Sequence, residues 1–418
     1  MMRRVVVTGL GAVSPVGNQV DAFWDGLISG KNGIDFITKF DVSDYKVKIA
    51  AEVKGFDPLK YMEKAEARKQ DLFSQYAVAA AVQAMEDAGI TEANTDPERL
   101  GVYVGSGTGG MNTFFDEAKK LLEKGPNRTS PFFIPMMIGN MATGNIAIRF
   151  HAQGPSLPIV TACATSTNAV GEAFRTIKFG YADAIIAGGT EATIVPLAVA
   201  GFTNCMALTQ KNDPNASSIP FDKNRDGFVM GEGAAILILE EYEHAVNRGA
   251  NIYAEVVGYG NTNDAYHMTA PHPEAMGGAK AISLALNEAG ALESGLLEEE
   301  RIYINAHGTS TPLNDKTETK AIKIALGEEK ARKAHISSTK SMTGHMLGAA
   351  GAIEAAATVL ALKNGKIPPT IGYKEWDPEC DLNYTPSKSI EADVRLGMSI
   401  SLGFGGHNGC IAFRKIEE

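Results

Sequence analysis

A strand-like run ending in a small-residue turn occurs twice in this chain, and that repetition limits its fold more than any other feature. Gly101-Val102-Tyr103-Val104-Gly105-Ser106-Gly107-Thr108 is echoed by Arg301-Ile302-Tyr303-Ile304-Asn305-Ala306-His307-Gly308-Thr309. A second echo follows in the same order. The apolar run Ile159 to Cys163, with the amphipathic stretch Asn168 to Lys178 behind it, matches Ile336-Ser337-Ser338-Thr339-Lys340 and the helical pattern from His345 to Lys363. Short strands expected at Arg4–Thr8, Arg99–Val104, Ala184–Ala187 and Ala234–Leu239 alternate with helices at Gln19–Ser29, Phe73–Ala88 and Asn112–Glu123. Such alternation predicts an α/β fold, with a parallel or mixed sheet covered on both faces. A duplicated βαβαβ unit with its boundary near Glu255–Gly258 explains the echoes, giving halves 1–255 and 256–418. The 418 residues exceed what one core usually supports, yet no low-complexity linker separates the halves, so they are expected to share a continuous core.

Duplication brings equivalent strand ends together, and open α/β sheets bind ligands at those carboxyl ends. Cys163, His307 and the Lys340–His345 turn all lie at such ends. Cys163 is read as a thiol on the first turn of a helix, after a strand and a sharp turn. There the helix N-terminus stabilises a thiolate and a nearby oxyanion. The alternative is a buried structural cysteine. His307 and His345 each sit at a strand-to-helix switch among small residues, which favours catalysis over the usual structural histidine. Lys340, after an apolar strand, is either a surface lysine or a buried group tuning nearby charge. Gly403-Phe404-Gly405-Gly406-His407-Asn408 reads as a mobile loop with an aromatic flap, or as a tight turn with Phe404 plugging the core. Gly105–Gly110 is glycine-rich but lacks the lysine and acidic partners of nucleotide loops, and no histidine pair at helical spacing suggests a metal.

A formal net charge of −10 argues against nucleic acid as a partner. The four cysteines, 163, 205, 380 and 410, have no paired spacing and fit a reducing cytosol. The apolar run after Arg4 ends at Gly9 and Gly11, too short for a signal segment, and no stretch is long enough to span a membrane. A cytoplasmic protein is expected.

Taken together, Val7-Thr8-Gly9-Leu10-Gly11, Thr161-Ala162-Cys163-Ala164-Thr165-Ser166, Ala306-His307-Gly308-Thr309-Ser310-Thr311, Ser338-Thr339-Lys340-Ser341, Gly344-His345 and Gly403–Asn408 are specific. From Arg4 through Arg414 the chain resembles the elongating, type II beta-ketoacyl-ACP synthases of the thiolase-like superfamily. Thiolases carry a second cysteine where His345 stands, initiating condensing enzymes an asparagine, and non-catalytic chain-length factors lack the cysteine. A non-enzymatic carrier-binding scaffold is therefore the weaker reading.

The resemblance implies a duplicated thiolase-like fold of five layers, α-β-α-β-α. It implies a decarboxylative Claisen condensation of acyl- and malonyl-acyl carrier protein, the elongation step of type II fatty acid biosynthesis, with a specialised polyketide pathway as alternative. Cys163 would carry the acyl group, and the N–H groups of Cys163 and Phe404 would form an oxyanion hole. His307 and His345 would stabilise the enolate, and Lys340 would set local protonation. Thr309 and Thr311 resemble phosphopantetheine-binding hydroxyls. Thr108, Phe133, Phe202, Gly403, Gly405 and Asn408 are further expected substrate contacts, Thr108 placing a short polar side chain beside the acyl methylenes. Asp315 and Glu354 look like buried partners of Lys340, with surface carboxylates as the alternative. No cofactor or metal is expected, since the substrates bring their own phosphopantetheine arm. Lys64, Arg68, Lys69, Arg128 and Lys211 form the expected docking patch for the acidic carrier, the alternative being a solvated helix face. The segment Pro131–Met137 suggests a homodimer whose partner lines the acyl pocket, or else an internal core helix.

Overall fold

The computed structural model describes residues 2–291 and 301–416. Among them, nine strands form one mixed sheet. They are β1 (Val5–Val13), β2 (Leu100–Gly105), β3 (Ala184–Glu191), β4 (Gly233–Glu241), β5 (Ala254–Asn263), β6 (Ile302–Asn305), β7 (His335–Ser337), β8 (Leu396–Gly403) and β9 (His407–Arg414). The sheet order is β2-β3-β4-β1-β5-β9-β8-β6-β7.

The duplication is written in that order. In the C-terminal set the first strand, β5, pairs antiparallel with β9, β9 antiparallel with β8, β8 parallel with β6, and β6 parallel with β7. In the N-terminal set β1 pairs antiparallel with β4, β4 antiparallel with β3, and β3 parallel with β2. The place of β7 is taken by the chain before Cys163. The expected strand at Ile159–Cys163 does not form. That chain reaches the sheet earlier, through a parallel bridge between Ser156 and Val102. Pro155 and Pro158 supply no N–H, which keeps the run from a regular ladder. Val5–Val7 pairs antiparallel with Ala254–Val256 and fuses the two sets.

Helices α1 (Leu72–Ala88), α2 (Thr165–Lys178), α3 (Met276–Glu288), α4 (Pro312–Leu326) and α5 (Ala350–Asn364) complete the layers. Alternate residues of β4 divide between two cores. Ile236 and Ile238 face α1, while Leu237 and Leu239 face inward with α2 and α5. On β9, Ile411 and Phe413 join the same inner core, and Cys410 and Ala412 face α3 and α4. The inner helices are thus sandwiched between the two strand sets of the sheet, and α5 is buried from Ala350 to Leu362. The layers run α1, sheet, α2 with α5, sheet, α3 with α4, which is the expected five-layer thiolase-like arrangement.

Helices α1 and α3 touch the sheet through the same device. A Cβ on Gly9 or Gly11 would lie 2.2 or 1.9 Å from the Ala84 or Ala80 carbonyl oxygen. On Gly258 or Gly260 it would lie 2.1 or 1.8 Å from that of Ala285 or Ala281. Only Gly-x-Gly on the strand and alanines four apart on the helix allow backbones so close.

Candidate active site

Cys163 sits in a single 3₁₀ turn, Ala162–Ala164, that runs directly into α2. Ala162 has a left-handed φ of 51°, a conformation costly for a residue with a Cβ. Three hydrogen bonds hold it: Ala164 N–H to the Thr161 carbonyl (3.0 Å), Thr161 N–H to Thr165 Oγ1 (2.8 Å) and Asn168 Nδ2 to Thr161 Oγ1 (2.8 Å). Gly403 presses against this turn, where a Cβ would lie 2.9 Å from the Thr161 oxygen and 3.1 Å from the Cys163 nitrogen. The next residue, Phe404, donates its backbone N–H to the Cys163 sulfur.

Burial pushes the Cys163 thiol up to about 11, although the Lys340 ammonium and the Phe404 N–H both pull it down. At neutral pH the resting group is a thiol, so nucleophilic attack requires a proton acceptor.

His307 follows β6 and His345 follows the short helix Lys340–Thr343; both are buried. Their rings meet edge to face, centroids 5.2 Å apart at 87°. The Cys163 sulfur and one ring nitrogen of each histidine all lie within 4.8 Å of one another. Burial and the Lys340 ammonium hold both imidazoles well below the usual histidine range, so both are neutral. His345 Nδ1 accepts the Leu347 N–H (3.2 Å), so its proton resides on Nε2, which is buried without a partner among the described residues. His307 differs, because its Nδ1 has no partner among the described residues and nothing fixes its tautomer.

Lys340 is 1% exposed and its ammonium hydrogen-bonds Glu354, as expected. Burial raises that carboxyl to about 7 against the opposing pull of the lysine. Asp315, the other expected partner, is not one. Its Oδ2 accepts the Phe221 N–H (2.8 Å) and lies 3.7 Å from Arg225, whose guanidinium also binds Asp377. The residue missed on that helix is Glu318. Its carboxylate receives the N–H groups of His307 (2.6 Å) and Gly308 (2.7 Å), fixing the histidine's backbone, and burial raises it to about 8. The available signal was periodicity, since Asp315, Glu318 and Ile322 share the buried face of α4.

A cavity of about 460 Å³ opens on this cluster. Thr108, Phe202, Thr309, Thr311, Gly403, Phe404 and Asn408 line it with Cys163, His307 and His345. The Thr309 and Thr311 hydroxyls are 2.9 Å apart. The Thr108 hydroxyl is engaged by Glu191 (2.8 Å) and Thr193 (2.8 Å). The Asn408 amide braces the neighbouring turn by donating to Asp264 Oδ1 (2.9 Å) and the Gly406 carbonyl (3.2 Å). The Phe404–Gly406 turn closes β8 onto β9 as a hairpin, pinned by Gly405 N–H to the Met268 carbonyl (2.7 Å). Phe404 is half-buried, so it is not a core plug.

Phe133 and Gly405 do not line the cavity. Phe133 lies on a short surface helix, Phe133–Met137, flanked by Phe132 at 41% exposure and carrying Ile134 at 54%. That exposure rules out the internal core helix. Lys64, Arg68, Lys69, Arg128 and Lys211 are exposed and none lines the cavity. Lys69 lies 5.4 Å from the Phe132 ring centroid, beside the apolar segment, whereas Lys211 is 3.5 Å from Asp226 at the cavity wall. Among the described residues, Cys163, His307 and His345 are the one cluster with metal-ligand spacing. It contains no carboxylate.

Comparison with known proteins follows this geometry. Residues 2–245 match the family described as beta-ketoacyl synthase, N-terminal domain, and residues 253–374 its C-terminal domain. The 3-oxoacyl-[acyl-carrier-protein] synthase 2 of Synechocystis sp. is 53% identical over 416 residues, 99% of each chain. The solved ishigamide ketosynthase/chain length factor superimposes with a TM-score of 0.92 at 37% identity, covering 100% of both chains. A type II polyketide ketosynthase, solved in complex with its acyl-carrier protein, gives 0.89 at 35% identity, again over 100% of both chains. On the match of both domains and of full-length relatives, this chain belongs to the beta-ketoacyl synthase family.

Proposed function

We propose that this chain joins an acyl group to a malonyl-derived carbanion, both delivered on acyl carrier protein, in the elongation step of fatty acid synthesis. The observation that carries the reading is the convergence of a half-buried thiol and two neutral imidazoles on one cavity, under the Phe404 N–H. In loading, Cys163 Sγ attacks the acyl thioester carbonyl, and the N–H groups of Cys163 and Phe404 face the oxyanion. One such donor contributes roughly 3 kcal/mol to the transition state. The thiol proton passes to the leaving phosphopantetheine sulfur. His307, whose tautomer is not fixed, is the ring able to relay it. In condensation the malonyl C–CO₂⁻ bond breaks and carbon dioxide leaves. The enolate oxygen is received by the fixed Nε2–H of His345, with His307 as a second donor. The enolate carbon then attacks the Cys163 thioester, the C–S bond breaks, and the thiolate released takes up a proton. No metal takes part, since two neutral N–H donors meet the enolate's demand.

The carrier docks through Lys64, Arg68, Lys69, Arg128 and Lys211, which are solvent-facing cations on an otherwise anionic chain. A second copy of the chain covers Phe132 and Ile134 and brings Phe133 toward its neighbour's cavity. A cytoplasmic location accords with four free thiols, and among the described residues no helix is long and apolar enough to cross a membrane. The test is direct. Incubation with acyl and malonyl carrier proteins should release carbon dioxide and yield a 3-oxoacyl carrier two carbons longer. Malonyl consumption without chain extension would overturn the reading, and light scattering in solution tests the dimer.

A further inference from the structure

The fully buried carboxylate of Glu191 ends β3 and lines the cavity, yet the steps above do not use it. Oε1 receives the Ser106 hydroxyl (2.9 Å), the Thr108 hydroxyl (2.8 Å), the Thr108 N–H (3.3 Å) and the Thr193 hydroxyl (3.1 Å). Oε2 receives the N–H groups of Gly107 (2.9 Å) and Gly348 (2.9 Å). One side chain therefore joins the turn after β2, in the first half, to the turn after His345, in the second.

The fit leaves no slack. A Cβ on Gly348 would lie 2.4 Å from the Gly107 nitrogen and 2.7 Å from Glu191 Oε2, and one on Gly107 would lie 2.8 Å from the same oxygen. The residue between His345 and its anchor is also under strain. Leu347 has a left-handed φ of 48°, unfavourable for a side chain with a Cβ, and it is this residue's N–H that bonds His345 Nδ1. Something must hold Leu347 in that conformation, and the next peptide N–H, that of Gly348, is fixed by Glu191.

We infer that Glu191 is the positioning residue that keeps His345 an Nε2–H donor, and that it links this histidine to the Thr108 wall of the acyl cavity. The inference rests on the role proposed above for His345. Without the carboxylate, Gly348 loses its acceptor, Leu347 relaxes from its left-handed conformation, and the bond that fixes the His345 tautomer is lost. No hydrogen bond joins Glu191 to Cys163, and the Glu191 charge only raises the thiol, so its removal should not slow loading, whereas decarboxylation should suffer.

The experiment compares wild type with Glu191→Ala, Glu191→Gln and His345→Ala, using acyl and malonyl acyl carrier protein as probes. Intact mass reports acylation of Cys163, and carbon dioxide release reports decarboxylation. Glu191→Ala should load near the wild-type rate while kcat for decarboxylation falls about 100-fold at unchanged KM, the cost of a displacement near 1 Å. Glu191→Gln retains one oxygen for Gly107 and Gly348 and should restore most of that rate. Equal losses of loading and decarboxylation in a folded Glu191→Ala would overturn the inference, as would an unaltered decarboxylation rate. Should Glu191→Ala fail to fold, Glu191→Asp, too short to reach Gly348, replaces it with the same expected split. Normal decarboxylation in His345→Ala would instead refute the role of His345 itself, which separates the two failures.

Discussion

Replacing Lys340 with Met probes the electrostatics of the site most sharply, because one ammonium acts on every reacting group. It pulls the Cys163 thiol down, adds to the burial that holds both histidines neutral, and offsets the burial of Glu354. Both members of the pair are almost fully enclosed, so removing one partner should cost about 3–5 kcal/mol. The cost depends on pH in a predictable direction. The folded Glu354 carboxyl lies at about 7, above its ordinary 4.5, so its contribution to stability is fully present below 4.5 and is lost as pH rises through the folded value. Without the lysine that folded value climbs further, and the penalty grows by about 1.4 kcal/mol per unit of additional shift. Denaturant unfolding should therefore show a larger deficit for Lys340→Met at pH 8 than at pH 5. Alkylation of Cys163 at fixed pH should also slow, about tenfold for each unit its thiol rises. Adding Glu354→Gln should restore stability, abolish its pH dependence and recover alkylation only in part, because the Glu354 charge raises the Cys163 thiol while the Lys340 ammonium lowers it more. A deficit independent of pH, or an alkylation rate equal to wild type, would refute this reasoning.

Three further outcomes are expected. Gly403→Ala places a methyl against the Thr161 carbonyl and the Cys163 nitrogen, so acyl transfer should slow while malonyl decarboxylation persists; equal losses would argue against a local effect. Thr108→Phe should restrict product chains to short lengths, because each excluded methylene forfeits roughly 0.8 kcal/mol; a uniform drop across chain lengths would mean that Thr108 serves only the Glu191 network. Because both imidazoles are held neutral well below the usual histidine range, decarboxylation should lack an acid limb near pH 6.5 and be indifferent to chelators; an inflection there, or loss of activity in EDTA, would contradict the neutral-donor, metal-free mechanism.

The layers were legible because the repeated strand ends and the glycines at 9, 11, 258 and 260 state the same packing rule twice. Cys163, His307, His345 and Lys340 stood out as chemistry-bearing groups at strand ends. The rest depended on tertiary crossings. Asp315 and Glu318 share one helix face, and only the approach of Arg225 decides that Asp315 turns away while Glu318 reaches the His307 backbone. Glu191 looks like an ordinary polar strand end until Gly348 arrives from the second half. The strand expected at Ile159–Cys163 rests on its apolar residues alone, whereas Pro155 and Pro158 interrupt the ladder. The protonation of the thiol is not legible in the sequence, because helix position is local, whereas burial is set by the whole fold.

The central claim is that Cys163 carries the acyl group and gives it up to a malonyl-derived carbanion. Intact mass with peptide mapping tests it in one experiment. Acyl carrier protein should add one acyl group to Cys163 and none to Cys205, Cys380 or Cys410, and malonyl carrier protein should then discharge it with release of carbon dioxide. Acylation at another cysteine, or a Cys163 thioester that survives malonyl carrier protein, would contradict it.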